Sequence, residues 1–182
     1  MTATDWVLDP SHGELLATTG VAGRAAKMGH RLTIAFRSWR MTISWEDDEP
    51  VGAELVVEVD SLEVVRGEGG VTPLTGPEKA VARTFALSTF DASRYPTITF
   101  RADAVEDIDG GYRLSGTLEV HGKTRPKAID VHVEDLGEAW RVSGEAEVRH
   151  TDFGMKPYSM MMGTMKVADT VLVSLQAECA KD

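Results

Sequence analysis

The side chains that could do chemistry are spread along the chain rather than gathered. There are five histidines, His12, His30, His121, His132 and His150, and a single cysteine, Cys179. A zinc-type centre needs imidazoles or thiolates at short, fixed spacings, and no pair here has one, so no metal site is expected. His121 and His132 fall on polar strand faces and read as surface or structural residues. Ser88, Ser93 and Ser115 lack the strand–turn–helix context of a nucleophile elbow, and there is no phosphate loop or dinucleotide fingerprint. Most carboxylates sit on turns or outward faces. Asp152 and Asp169 are the exceptions, and a structural role held by turn amides or an arginine is expected for both. This pattern points away from catalysis and from any required cofactor. What remains is non-covalent. Met155, Met160, Met161, Met162 and Met165 crowd one loop with Gly154, Pro157 and Gly163, and methionine is flexible and polarisable enough to fit irregular apolar shapes.

The elements that must position these groups are strands. In Tyr95–Arg101, Ile98 and Phe100 point one way from an extended backbone while Thr97, Thr99 and Arg101 point the other. The same two-residue period runs through Leu32–Phe36, Leu55–Val59, Tyr112–Val120, Ile129–Val133, Trp140–Val148 and Val167–Ala177. Asp109-Gly110 marks a hairpin turn. Thr75 to Glu78 fits a capping box and predicts one helix through about Ala86. Residues 66–77 and 88–93 read as loops. Gly116 and Gly144, inside strands, predict sharp bends or close backbone approach. An antiparallel meander hides its edges best by closing. The expectation is therefore an all-β closed antiparallel barrel of about eight strands, with one helix flanking or capping it. Phe36, Ile98, Phe100, Tyr112, Leu114, Leu118 and Trp140 would face the interior.

The totals set limits. A length of 182 residues suits a single domain over 1–182. The formal net charge of −10 disfavours nucleic acid, whose phosphates need a basic face. An anionic membrane would repel the chain on average, although a local patch could still make transient contact. One cysteine allows no internal disulfide. Residues 1–5 show no charged and apolar leader pattern, and no run of about 18 apolar residues occurs, so a cytoplasmic protein is expected.

Five segments, in order, resemble the YceI-like family of lipocalin-like barrel proteins. They are Trp6-Val7-Leu8-Asp9-Pro10-Ser11-His12, Phe90-Asp91 through Tyr95-Pro96-Thr97-Ile98-Thr99-Phe100-Arg101, Gly116 through Pro126 with its His121-Gly122-Lys123-Thr124 turn, His150-Thr151-Asp152-Phe153-Gly154-Met155-Lys156, and Val167-Ala168-Asp169-Thr170-Val171. His150 stands where the family usually carries arginine, and residues 22–30 are unusually rich in alanine and glycine. The resemblance implies a barrel that binds a hydrophobic small molecule, an isoprenoid or polyprenyl lipid such as an isoprenoid quinone, as carrier or buffer. Many relatives are periplasmic, and a homodimer is implied. On this reading the seven inward residues line an apolar cavity. Met160, Met161 and Met162 form a compliant lid on its mouth, or pack on the barrel's own core. His12, His30 or His150 would hold a ligand carbonyl or phosphate. Two rival readings stay open: a filled barrel that works through its surface, and an enzyme acting on a hydrophobic substrate.

Overall fold

Alternating apolar and polar residues build strands wherever one face can be buried, and here they build little else. A computed structural model describes residues 4–181; Met1 to Ala3, part of the stretch 1–5 read above for a leader pattern, and Asp182 lie outside the described residues. The strands are β1 (Thr4–Leu8), β2 (Gly13–Thr18), β3 (Val21–Ala22), β4 (His30–Phe36), β5 (Trp39–Glu46), β6 (Glu49–Glu58), β7 (Leu62–Gly69), β8 (Thr97–Ile108), β9 (Gly111–Val120), β10 (Lys123–Asp135), β11 (Ala139–Arg149), β12 (Ser159–Met160), β13 (Met165–Val167) and β14 (Thr170–Ala180). Eleven of them form one curled antiparallel sheet, ordered β1-β5-β6-β8-β9-β10-β11-β14-β2-β4-β7.

The two ends of that sheet are joined through the chain itself. β1 runs into β2, β4 into β5, and β6 into β7, each through a short corner. β1 pairs with β5 and β2 with β4, while β5 pairs with β6 and β4 with β7. Each of these three pairs of strands is thus one bent stave, and eight staves follow one another around the wall. At the corners, the Arg37 N–H donates to Ser61 O (3.2 Å) and the Glu58 N–H to Ser38 O (3.0 Å), so few backbone groups are orphaned. The corners also carry the most buried large side chains, Leu8, Val59 and Leu62.

A single face points inward all the way round. The register runs Leu8 to Met41 to Leu55 to Phe100 to Leu118 on one side. On the other it runs Val142 to Ala177, and Leu175 to Leu15 to Phe36 to Leu62. Two core clusters fill part of the interior. One centres on Leu15, Phe36, Trp39 and Leu62, the other on Phe100, Leu118, Val120 and Phe153.

The helix α1 spans Gly76–Phe90 and starts on the capping box, with Thr75 Oγ1 accepting from the Glu78 N–H (3.3 Å) and Glu78 Oε1 accepting from the Thr75 N–H (3.3 Å). It runs past Ala86, so Ser88 to Phe90 are helical rather than loop. The extra turn buries Leu87 and Phe90 against the first cluster, beside Ala82 and Ala86. Asp91, in the left-handed region at φ 50°, ends it. The Arg83 Nε–H donates to Leu62 O (2.9 Å) and ties the helix to the barrel. The span 66–77 also differs from its reading as a loop: its first residues continue β7 to Gly69, because β4 offers them a ladder as far as His30.

Residues 150–169 leave the end of β11 and return at the start of β14. Asp169 clasps their base. Its carboxylate accepts from the Thr151 hydroxyl (2.7 Å) and the Thr151 N–H (2.9 Å), and its carbonyl accepts from the His150 N–H (2.9 Å). The Thr151 hydroxyl and amide, together with the nearby His150 and Arg149 charges, hold the Asp169 carboxyl below its ordinary 3.8. The span then folds into a small second sheet, β12-β13-β3.

Two outcomes are expected. A Cβ on Gly116 would lie 1.8 Å from Arg101 O, beside the register shift between Ala102 and Ala104, whereas one on Gly144 would lie 3.2 Å from Asp130 O. Backbone cannot yield as a side chain can, so Gly116→Ala should cost about 2–3 kcal/mol in urea unfolding and Gly144→Ala less than about 1 kcal/mol. The Asp169 clasp is anionic with a lowered folded-state value, so its contribution is present above 3.8 and fades as pH falls through that lower value. Asp169→Asn should therefore lower the melting temperature at neutral pH and leave it nearly unchanged near about pH 2.

Candidate functional site

The helix fills one end of the barrel. The other end is hollow. An apolar cavity of about 270 Å³ opens there, walled by Trp6 of β1, Ile43 and Trp45 of β5, Tyr112 and Leu114 of β9, Val131 and Val133 of β10, and Trp140 and Val142 of β11. Register places these side chains together: Trp6 lies opposite Ile43, Tyr112 opposite Val131, and Val133 opposite Val142. The cavity exists because its floor is lined by small or branched residues, Ala53 and three valines, while large rings stand among them.

Three of the four tryptophans belong to this wall. The Trp6 and Trp45 rings meet at 4.6 Å and 43°. The Lys181 ammonium sits 4.1 Å from the centre of the Trp140 ring and also pairs with Asp135, which fixes that corner of the rim. The Trp45 indole Nε1–H is buried with no acceptor. Among the described residues, Asp48, at the tip of the β5–β6 hairpin, and Tyr112 are the titratable members of the lining.

The sequence-derived residues separate by location. Tyr112, Leu114 and Trp140 line the cavity. Phe36, Phe100 and Leu118 face inward but are buried in the core clusters, with Ile98 half-buried against them, so they fill the barrel rather than border the hollow. Met160, Met161 and Met162 do not cover the mouth. They stand exposed at the opposite end, because β13 pairs with β3 and β12 with β13, which carries the loop away from the cavity. Met155, from the same loop, is the one that packs on the core.

The three histidines do not converge. His12 contacts Asp9 in the β1–β2 turn (3.1 Å), His30 Nε2 lies 2.6 Å from Thr72 O, and His150 Nδ1 lies 2.8 Å from Asp169 O. His12 is held by its own turn and the other two by residues distant in sequence, and none of the three borders the cavity. Among the described residues no cluster of histidine, cysteine and carboxylate could hold a metal ion. Trp6, Ile43, Trp45, Val131, Val133 and Val142 escaped the sequence reading as lining residues. The alternation Val131, Val133 and Trp140, Val142 carried the signal for four of the wall positions.

A wider, shallow hollow of about 720 Å³ lies on the outside of β10, β11, β14 and β2, lined by Glu14, Asp130, His132, Ser143, Glu145 and Gln176 among others. Polar and apolar surface line it in nearly equal measure, with His12, Leu16 and Leu175 among its residues, and it lies half open to solvent. No helix among the described residues is long and apolar enough to cross a bilayer.

The architecture is shared with solved proteins. BcnA of Burkholderia cenocepacia superposes with a TM-score of 0.73 at 17% identity, over 95% of this chain and 99% of that one. The YCEI protein of Campylobacter jejuni superposes at 0.60 and 15% identity, over 82% and 84%. A UPF0312 protein of Shewanella baltica is 24% identical over 179 residues, 97% of this chain and 87% of the relative. The YceI-like domain profile matches residues 6–179, and the chain belongs to that family.

Proposed function

We propose that this protein binds a hydrophobic small molecule in the cavity at the open end of its barrel, and that the ligand is an isoprenoid bearing a carbonyl head, such as a short isoprenoid quinone. The observation that carries the reading is the cavity itself: a mostly apolar hollow open to solvent at one end of the barrel, while α1 packs on the core at the other. Apolar burial is worth about 0.8 kcal/mol per CH₂ from water, so each branched five-carbon unit adds about 4 kcal/mol when taken up from solution. From a bilayer the tail is already in oil, and transfer is nearly balanced, which suits a carrier or buffer.

Size limits the ligand. About 270 Å³ is near the lower bound of small-molecule sites and accommodates a head ring or about two isoprene units. A longer tail would protrude past the rim. The unpartnered Trp45 Nε1–H supplies a donor that a ligand carbonyl entering beside Trp6 would satisfy. A catalytic reading has less support, since among the described residues Asp48 and Tyr112 are the titratable members of the lining and no histidine or lysine stands beside them there.

Two measurements test this. Organic extraction of the purified protein, followed by mass spectrometry, should release an apolar compound. Titration with a short-chain isoprenoid quinone should quench tryptophan fluorescence, because three of the four indoles face the site. Val133→Trp, a half-buried lining position, should fill the hollow and weaken quinone binding by about tenfold or more, the loss of at least about 1.4 kcal/mol, with the fold intact by circular dichroism. Equal quenching by wild type and Val133→Trp would place the ligand elsewhere.

A further inference from the structure

The methionines that do not cover the cavity form a feature of their own. β12 and β13 pair through Ser159 with Lys166 and Met160 with Met165, and β13 pairs with β3 through Lys166 with Ala22. The Ala25 N–H donates to Thr164 O (2.8 Å) and joins the 3-10 turn at Ala26–Met28 to the same unit. At its tip, Met161 and Met162 take left-handed backbone angles, φ 53° and 58°, and the chain turns with its side chains outward. Met162 is fully exposed at 104%, and Met28, Met160 and Met161 are each about half exposed or close to it. Tyr158, at the base, stacks on Phe85 of α1 (4.2 Å), whose outer face also shows Val81. This is a projecting apolar knob, not a groove.

Its charge runs against that of the molecule. The chain carries a net −10, yet residues 15–45 and 153–168 contain no carboxylate. Arg24, Lys27, Lys156 and Lys166 are exposed on the same joined segments as the methionines, and none of the four has a carboxylate partner among the described residues. Of the nearest acids in sequence, Asp169 holds Thr151, while Asp152 is exposed at the base of the loop and its backbone carbonyl accepts from Arg125. Exposed flexible thioethers on a segment that also carries exposed lysine and arginine match a surface that is oily within and anionic outside.

We infer that this methionine tip docks on the surface of an anionic lipid bilayer, with Met160, Met161 and Met162 entering the acyl boundary and the four basic residues against the headgroups. A deformable lipid surface receives a convex knob without a matching pocket, which a protein partner would have to supply. A second copy presenting the same tip would bring like charges together. The tip lies at the far end of β11 from Trp140, about 30 Å along the strand, so docking leaves the cavity mouth uncovered.

Sedimentation with vesicles tests the inference on the full chain. Wild-type protein should pellet with vesicles of phosphatidylcholine and phosphatidylglycerol in equal parts, stay in solution with phosphatidylcholine alone, and be released by high salt. The triple change Met160→Ser, Met161→Ser, Met162→Ser and the double change Lys156→Glu, Lys166→Glu should each reduce the bound fraction by about tenfold or more. Their side chains are exposed, so both variants should melt with wild type, and Val133→Trp should still bind. Wild-type protein that ignores anionic vesicles, or variants that pellet as well as wild type, would overturn it. So would tip variants that change only the oligomeric state in gel filtration, which would assign the knob to a contact between copies.

Discussion

The constraint on which the structure depends is that a sheet this long must manage its edges: β1 and β7, at the two ends of the ladder, have one ladder partner each. Each backbone N–H and C=O of a sheet needs a partner, and an unpaired row of them invites aggregation. This chain meets the demand by bending three strands instead of adding more. β1 into β2, β4 into β5 and β6 into β7 each turn a corner, so the ends of the eleven-stranded ladder are tied by covalent chain and by the hydrogen bonds of Arg37 and Glu58. The corners are where the sheet would gape, and Leu8, Val59 and Leu62 are sealed beneath them. Closure in turn gives the wall a single inside, and everything said of the cavity follows from having one.

A closed wall of this size can be filled or hollow, and this one is both. Toward the helix, Phe36, Phe100, Leu118 and Phe153 meet in two clusters, and α1 lays Leu87 and Phe90 over them. Toward the β5–β6 hairpin the inward positions are Ala53, Val131, Val133 and Val142, too small to meet across the barrel. The tryptophans there do not collapse inward, because Trp6 leans on Trp45 and Trp140 is held by Lys181. Packing is normally dense enough that such a space closes. Rigid rings pinned at the rim keep this one open.

The inward face was legible in the sequence because period two is enforced by burial. A slip of one residue at Ile98–Phe100 or Tyr112–Leu118 would turn the whole apolar set to water. The capping box at Thr75 was legible for the same reason: it is local. What was not legible depends on distance. Nothing in the sequence near Phe100 says that Phe90 will pack above it, or that no large residue will stand opposite Val133. Trp6 and Trp45 are far apart in sequence and meet only through the β1–β5 ladder. The methionines carried a correct composition and an uncertain address, since β3, two residues long and without alternation, decides where β12 and β13 go. Ser88 to Phe90 read as polar loop, yet tertiary burial of Phe90 outweighed their weak helix preference.

The two ends of the barrel therefore have opposite chemistry. One is a hollow rimmed by indoles and by Asp48, the other a basic methionine knob, and the wall between them carries Glu14, Asp130, Glu145 and other carboxylates. Such a molecule has a built-in orientation near any anionic surface: the acidic wall is repelled and the basic end attracted, so the long axis turns toward the normal. The hollow then faces solution. A ligand would leave or arrive through the aqueous side and not by sliding from the lipid under the knob, because α1 and two packed clusters stand between the knob and the hollow. If both proposals hold, the membrane contact would set where the protein waits, while the rim rings at Trp6, Trp45 and Trp140 would set what it holds. The two can be separated by mutation because no side chain is shared between them.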